Sequence, residues 1–192
     1  MSSIIIEGGR KLTGEIKIGG AKNSAVALIP ACILCNGEME LDNVPDISDV
    51  YALEEILSSL GVDMEFKNHK VKINSKNMVN AVIPCELSSK LRASYYFMGA
   101  LLGKYKKVKM CFPGGCSIGE RPINLHLKGF EKLGATIEEE DGNFTITAKK
   151  LIGDEIFLDV PSVGATINII LAAVLAKGKT VIDNAAMEPE IV

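Results

Sequence analysis

Ten consecutive residues, Pro113 to Pro122 (PGGCSIGERP), set one thiol on a glycine-rich turn shortly before a guanidinium. Glycine admits backbone angles closed to other residues, so such a turn bends tightly and presents Cys116 to a ligand. A cation such as Arg121 favours thiolate over thiol and brings the pKa down from about 8.5, making the sulfur a nucleophile or an acid poised near neutrality. The same residue types also suit a small buried cysteine in a loop, because free Cys is among the most buried residues.

Three other stretches hold groups suited to an anion. In Gly19-Gly20-Ala21-Lys22-Asn23-Ser24 a glycine turn leads into a helix, whose first N–H groups favour phosphate while Lys22 adds charge and Asn23 an amide. The spacing is not that of a P-loop, and taken alone it is better explained as an ordinary helix start with a solvated lysine. Arg92, in Lys90-Leu91-Arg92-Ala93-Ser94, opens an otherwise apolar helix, with a plain surface arginine as its alternative. In Arg121-Pro122-Ile123-Asn124-Leu125 the proline suits a first helical turn and the arginine a bidentate pair with phosphate or carboxylate. Cys32-Ile33-Leu34-Cys35 has C-x-x-C spacing inside an apolar run and reads as core packing rather than as a metal or redox site. His69 and His126 are too few and too scattered for a metal centre.

The elements that must position these groups recur along the chain. Glu38 to Pro45 reads as a strand and turn, Asp49 opens an amphipathic helix through YALEEILSSL, Gly61 closes it, and DMEFKN and KVKINS pair as strands. The order then repeats: VKMCFPGG as strand and turn, a helix from about Ile123 to Leu133 ending at Gly134, and a hairpin across Asp141-Gly142-Asn143. A small-residue apolar helix precedes each unit, at Ser24 to Leu34, Lys90 to Leu102 and Val163 to Ala176. Gly178 to Asn184 starts the strand of a third unit and Glu188 to Val192 reads as the entry to its second helix, where the sequence ends. Such units become stable by burying one another's faces, so the sequence predicts either an incomplete third unit or the front portion of a longer chain.

Bulk properties narrow the class. A chain of 192 residues, 47% hydrophobic, 23% charged and without Trp, predicts a substantial aliphatic core. A net charge of -3 and a pI near 5.5 argue against a nucleic-acid surface, which needs a basic excess. The N-terminus carries three isoleucines and then turns polar, which fits neither a secretory core nor a membrane span, and predicts a cytoplasmic protein with no membrane partner. Five cysteines without the density of a disulfide framework suit a reducing compartment.

Together these motifs closely resemble the UDP-N-acetylglucosamine 1-carboxyvinyltransferase family, over all 192 residues. The resemblance rests on GGAKNSA (19–25), LRAS (91–94), PGGCSIGERP (113–122), LKGFEKLGA (127–135), PSVGATINIILAA (161–173) and the final NAAMEPEIV. It implies an α/β (α+β) fold: an enolpyruvyl transferase-type inverse barrel domain of repeated βαβαββ units around buried helices, the third unit incomplete. Residues 1–21 would form a strand segment that packs with a second domain absent from this sequence, and 22–192 the first domain, in units of about 22–75, 87–149 and 162–192. The implied reaction moves the enolpyruvyl group of phosphoenolpyruvate to the 3-hydroxyl of UDP-N-acetylglucosamine, with no metal or organic cofactor, at the start of peptidoglycan synthesis.

Carried over residue by residue, Lys22 and Arg121 would hold phosphoenolpyruvate, Asn23 the sugar nucleotide, and Arg92 the nucleotide or a loop. Residues 121–125 (Arg121, Pro122, Ile123, Asn124, Leu125) would meet the uridine, and Ser162, Val163 and Gly164 the diphosphate. Cys116 would be the thiol that adds to phosphoenolpyruvate, donates a proton and is alkylated by fosfomycin. Asn124 stands where the family usually has Asp, and Val160 where many members have Lys, so an acceptor at the base becomes an amide and one cation is lost. The base that takes the sugar proton would lie in the missing half. Two alternatives remain: a truncated, non-catalytic paralogue that binds a UDP-sugar or a partner protein, and the sister 5-enolpyruvylshikimate 3-phosphate synthase, whose members typically lack the Cys loop.

Overall fold

The structure is a computed structural model that describes residues 3–79, 81–111 and 123–192. The turn expected around Cys116, with Arg121 and Pro122, lies outside the described residues. The first unit runs α1 (Lys22–Ala31), a 3₁₀ turn (Cys32–Leu34), β1 (Glu38–Leu41), α2 (Ser48–Ser59), β2 (Asp63–Lys67) and β3 (Lys70–Asn74). After the short α3 (Cys85–Ser88) and a 3₁₀ turn at Arg92–Tyr95, the order recurs as α4 (Tyr96–Tyr105), β4 (Lys107–Cys111), α5 (Asn124–Lys132), β5 (Thr136–Glu140) and β6 (Asn143–Thr147). Then come β7 (Glu155–Phe157), α6 (Val163–Ala173) and β8 (Val181–Asp183).

The two complete units are built alike down to their turns. Each sheet is antiparallel with the last strand in the middle, β1-β3-β2 and β4-β6-β5. One register row of the first sheet, Met39, Ile73 and Met64, faces inward, while the neighbouring row, Glu40, Lys72 and Glu65, faces water. A two-residue loop joins the hairpin strands in both: Asn68-His69 at φ 51° and 60°, Asp141-Gly142 at φ 49° and 73°. Two consecutive left-handed residues match the twist of the strands they join. Gly61 and Gly134 take φ of 77° and 93° after α2 and α5, and the following N–H groups reach back to Leu57 and Phe130. That is the left-handed helix stop anticipated from the LGV and LGA pair.

The sheets do not close into a barrel; the described strands form two three-stranded sheets and the parallel pair β7-β8. Helices fill the interior instead. Eight of the ten residues of α4, Tyr96 to Gly103, are buried, and so is most of α6. A helix apolar all round must lie inside, because no face of it gains by meeting water. Val50, Leu53, Ile56 and Leu57 of α2 are likewise fully buried, each worth about 1.5–3 kcal/mol over exposure. Lys104 of α4 donates to the carbonyls of Ile33 and Cys35 at 2.5 and 2.9 Å, so the turn that ends α1 has a cationic cap, with desolvation lowering the lysine's pKa.

Four expectations change. The helix expected over Lys90 to Leu102 breaks into a 3₁₀ turn and α4, where Ser94 donates to the carbonyl of Ser88 at 2.8 Å and draws that turn back. α1 begins at Lys22, so Lys22 and Asn23 sit in its first turn and not before it. Glu188 to Val192 forms a hydrogen-bonded turn, Ile191 N to Glu188 O at 2.9 Å, and no helix. The thiols are not all separate: Cys85 is joined to Cys111 across 26 positions of sequence, with a Cα–Cα distance of 5.1 Å. Val82 runs parallel to Lys109, so the two chains advance together and bring 85 beside 111. The C-x-x-C pair is unbonded; Cys32 is buried, and desolvation with Cys35 nearby pushes its thiol up to about 11. Residues 3–20 carry no regular structure, and Ile4, Ile5, Ile6, Leu12, Ile16 and Ile18 stand in water.

α4 and α6 approach so closely that a side chain at Gly99 would overlap the backbone carbonyl of Asn168, and one at Gly103 would press on Leu171. Gly99→Ala gains helix propensity but overpacks this crossing, for a net loss of roughly 2 kcal/mol. Gly8→Ala, with open space around it, changes stability by less than about 0.5 kcal/mol. Urea denaturation checks both. Gly99→Ala at or above parental stability would refute the close approach.

Candidate functional site

The 3₁₀ turn before α4, the start of α5 and the start of α6 converge on one open cleft of about 580 Å³. Its lining includes Arg92, Tyr95, Asn124, Leu125, His126, Asp159, Val160 and Ser162 to Gly164. Three local causes put those residues there. Ser162 is extended and its hydroxyl accepts from the Ala165 N–H at 3.3 Å, which starts α6 at Val163. The remaining first-turn N–H groups of that helix have no intrahelical acceptor and give that end a partial positive charge. Ile123, buried, immediately precedes α5, so Asn124 and Leu125 follow at its first turn. Gly164 is small by necessity, since a Cβ there would lie 2.9 Å from the Tyr95 hydroxyl and 3.1 Å from the His126 ring.

Behind the cleft wall, Asn168 of α6 is fully buried and bonds in two directions. Its Oδ1 accepts from the Gly99 N–H at 2.8 Å, which turns its Nδ2 toward His126 Nδ1, 2.9 Å away. The amide is the donor in that second bond, so His126 is neutral and its ring proton lies on Nε2. Burial, with Arg92 as a second cause, pulls the His126 pKa from 6.5 down to about 4. Tyr95 packs edge-on to that ring, centroids 5.0 Å apart, and the Arg92 guanidinium lies 5.7 Å above the Tyr95 ring. The wall is thus neutral imidazole and phenol beside a guanidinium, and a cation near a helix N-terminus suits an anionic ligand. Asp159, the acidic residue on the rim, is paired with Lys128 at 2.9 Å.

The residues singled out in the sequence divide into three groups. Arg92, Asn124, Leu125, Ser162, Val163 and Gly164 meet in the cleft. Ile123, Lys22 and Asn23 do not line it; Ile123 is buried just before α5, while Lys22 and Asn23 begin α1, with Lys22 paired with Asp49 at the start of α2 at 2.5 Å. Cys116, Arg121 and Pro122 lie outside the described residues. Neither Tyr95 nor Asn168 is singled out from the sequence. His126 was weighed only as a metal ligand, and a buried Asn in an apolar helix was the one available signal for Asn168. Among the described residues no group of three or more His, Cys, Asp or Glu is placed to hold a metal ion. A second hollow, about 470 Å³ along β1-β3-β2, is lined by residues of both register rows, Met39, Ile73 and Met64 together with Glu40, Lys72 and Glu65.

The depressed His126 pKa makes stability depend on acid. Between pH 6.5 and about 4 the unfolded chain binds a proton at this ring and the folded chain does not, so stability falls as pH falls through that window, by at most about 3 kcal/mol. Above pH 6.5 both states are neutral and the group contributes no slope. Thermal unfolding from pH 7.5 to 4 should show that loss, and His126→Gln, which can still accept from Asn168, should remove its share. An unchanged slope in the variant would contradict the buried neutral ring.

Comparison with known proteins shows the family to which the chain belongs. Residues 6–192 match the family model described as EPSP synthase (3-phosphoshikimate 1-carboxyvinyltransferase). A protein named UDP-N-acetylglucosamine 1-carboxyvinyltransferase 2 from Listeria innocua is 54% identical across the whole chain, and its namesake from Bacillus subtilis 50%. The chain spans about 45% of the length of each. Among solved structures, the enolpyruvyl transferase NikO from Streptomyces tendae superposes with a TM-score of 0.82 at 21% identity, covering 96% of this chain and 43% of its own. EPSP synthase from Acinetobacter baumannii gives 0.73 at 20% identity, covering 93% and 42%. No described helix is long and apolar enough to cross a membrane. The chain therefore belongs to the EPSP synthase family of carboxyvinyltransferases, and within it is similar to the UDP-N-acetylglucosamine 1-carboxyvinyltransferases.

Proposed function

We propose that this chain works as the N-terminal part of a cytoplasmic enzyme that transfers the enolpyruvyl group of phosphoenolpyruvate to the 3-hydroxyl of UDP-N-acetylglucosamine, releasing phosphate at the start of peptidoglycan synthesis. The observation that carries this reading is the convergence of Arg92, Asn124-Leu125 and Ser162-Val163-Gly164 on one cleft. The chain's 50–54% identity to proteins named for that activity supports it. In this reading the α6 N-terminus and Arg92 take the diphosphate, by helix dipole and guanidinium. Asn124 offers the uracil both a donor and an acceptor, while Leu125 supplies apolar contact and buried Ile123 contributes its backbone.

Lys22, Asn23 and Arg121 hold phosphoenolpyruvate and the sugar. For that Lys22 exchanges its pairing with Asp49, an accessible change because its side chain is 57% exposed. The acceptor hydroxyl attacks the carbon that bears the phosphate while the terminal methylene of phosphoenolpyruvate gains a proton. Cys116 is the acid suited to supply it. The tetrahedral adduct then loses a proton from that new methyl group as the C–O bond to phosphate breaks, which restores the double bond and releases phosphate. The cations around the site offset the negative charge of the two substrates. The proton of the sugar hydroxyl goes to a base outside these residues, and no metal or organic cofactor takes part.

The test joins this chain to the complementary part of the Bacillus subtilis relative and follows phosphate release. UDP-N-acetylglucosamine should support turnover where shikimate 3-phosphate does not, and Cys116→Ser should cut the rate by about 100-fold or more, the scale of a lost general acid. Full-rate turnover by Cys116→Ser would remove the thiol's role. Preference for shikimate 3-phosphate would move the activity to the sister enzyme. Saturable sugar-nucleotide binding without turnover in the joined protein would leave a binding module.

A further inference from the structure

Cys85 and Cys111 are held together by backbone before any sulfur chemistry. Ile83 N–H donates to Lys109 O and Lys109 N–H to Ala81 O, both at 2.9 Å, so residues 81–83 run alongside β4. Two to three residues further in the same direction the Cα atoms of Cys85 and Cys111 are 5.1 Å apart, inside the span of about 4.4–6.8 Å that disulfides require. From the opposite strand, Asn143 faces Cys111 in register. Its Oδ1 lies 3.4 Å from Cys85 Sγ and 3.0 Å from Cys111 Sγ, with its Nδ2 turned away to the Asp141 carbonyl at 3.2 Å. One site therefore serves both oxidation states: as a dithiol the two S–H groups share an acceptor, and as a disulfide the backbone stays where it is.

We propose that Cys85 and Cys111 form a reversible oxidation site, a dithiol under reducing conditions that closes to a disulfide on exposure to a peroxide. Cys85 is exposed and Cys111 half-buried, so the Cys85 thiolate is the one that meets the oxidant. It attacks the peroxide O–O bond to give a sulfenic acid and hydroxide; Cys111 then attacks that sulfur, the S–O bond breaks, and the second oxygen leaves as water. Two thiols and one hydrogen peroxide become one disulfide and two waters. A dithiol reductant reverses the step by exchange. Cys32, buried with its thiol pushed up to about 11, is protected from this chemistry. The bond pins the start of α3, which leads to Arg92, to the end of β4, five positions before Cys116 in sequence. It places an oxidant-responsive link between the two segments that feed the cleft, and it stands whether or not the proposed transferase activity does.

Intact mass and non-reducing peptide mapping of the full chain, before and after hydrogen peroxide and again after dithiothreitol, test this. The expected result is a reversible loss of about 2 Da, two fewer alkylatable thiols, and one cross-linked peptide pair that contains Cys85 and Cys111. Cys116→Ser should keep the mass change, while Cys85→Ser and Cys111→Ser should each abolish it, circular dichroism confirming that both remain folded. A cross-link from Cys85 or Cys111 to any other cysteine, oxygen addition at either without closure, or no change in mass would overturn the proposal.

Discussion

The side-chain amide of Asn168 is the contact on which the rest of the arrangement depends. It sits on α6, fully buried, and spends its oxygen on the backbone of α4 and its nitrogen on the His126 ring of α5. A buried amide without partners costs about 1–3 kcal/mol, so the three helices are constrained to positions that satisfy both ends. Among the described residues no buried side-chain N or O is left without a partner. The bond to Gly99 also needs the two helices in near contact, which is why Gly99 and Gly103 occur one helical turn apart on α4. Apolar packing supplies the bulk of the stabilisation; the amide selects one register of α4 on α6 from the many that grease alone would allow.

That selection reaches the cleft through two rings. Asn168 holds His126 as a neutral acceptor, Tyr95 packs on His126, and Gly164 leaves room for both. The N-terminus of α6 therefore opens toward Arg92 and not into a hydrophobic wall. Desolvation of the imidazole and the nearby guanidinium act in the same direction, keeping the ring uncharged so that Arg92 has no cationic competitor on that wall.

What could be read from the sequence was mostly what is local. The glycines after α2 and α5, the Asp-Gly hairpin and the apolar helices have signatures within a few residues of one another, because caps, turns and helical faces are decided at that range. Arg92, Asn124-Leu125 and Ser162 to Gly164, which the motif resemblance assigns to one nucleotide, line one cleft, while Lys22 and Asn23, assigned to substrates of the same reaction, stand apart at the start of α1. The break before α4, the Lys22–Asp49 pair, the Asn168 bridge and the Cys85–Cys111 contact were not legible. The first arises from Ser94 bonding back to Ser88, and the others join residues far apart in sequence whose types say nothing of their partners.

Whether the cleft between the 3₁₀ turn, α5 and α6 takes a sugar nucleotide, as proposed, is tested most directly by a titration of the chain with UDP-N-acetylglucosamine followed by backbone amide resonances. Saturable shifts concentrated at Arg92, Tyr95, Asn124, His126 and Ser162 to Gly164, with the outer face of β1-β3-β2 unmoved, are the predicted result. Saturable shifts centred elsewhere in the chain, or none at millimolar ligand, would contradict that proposal.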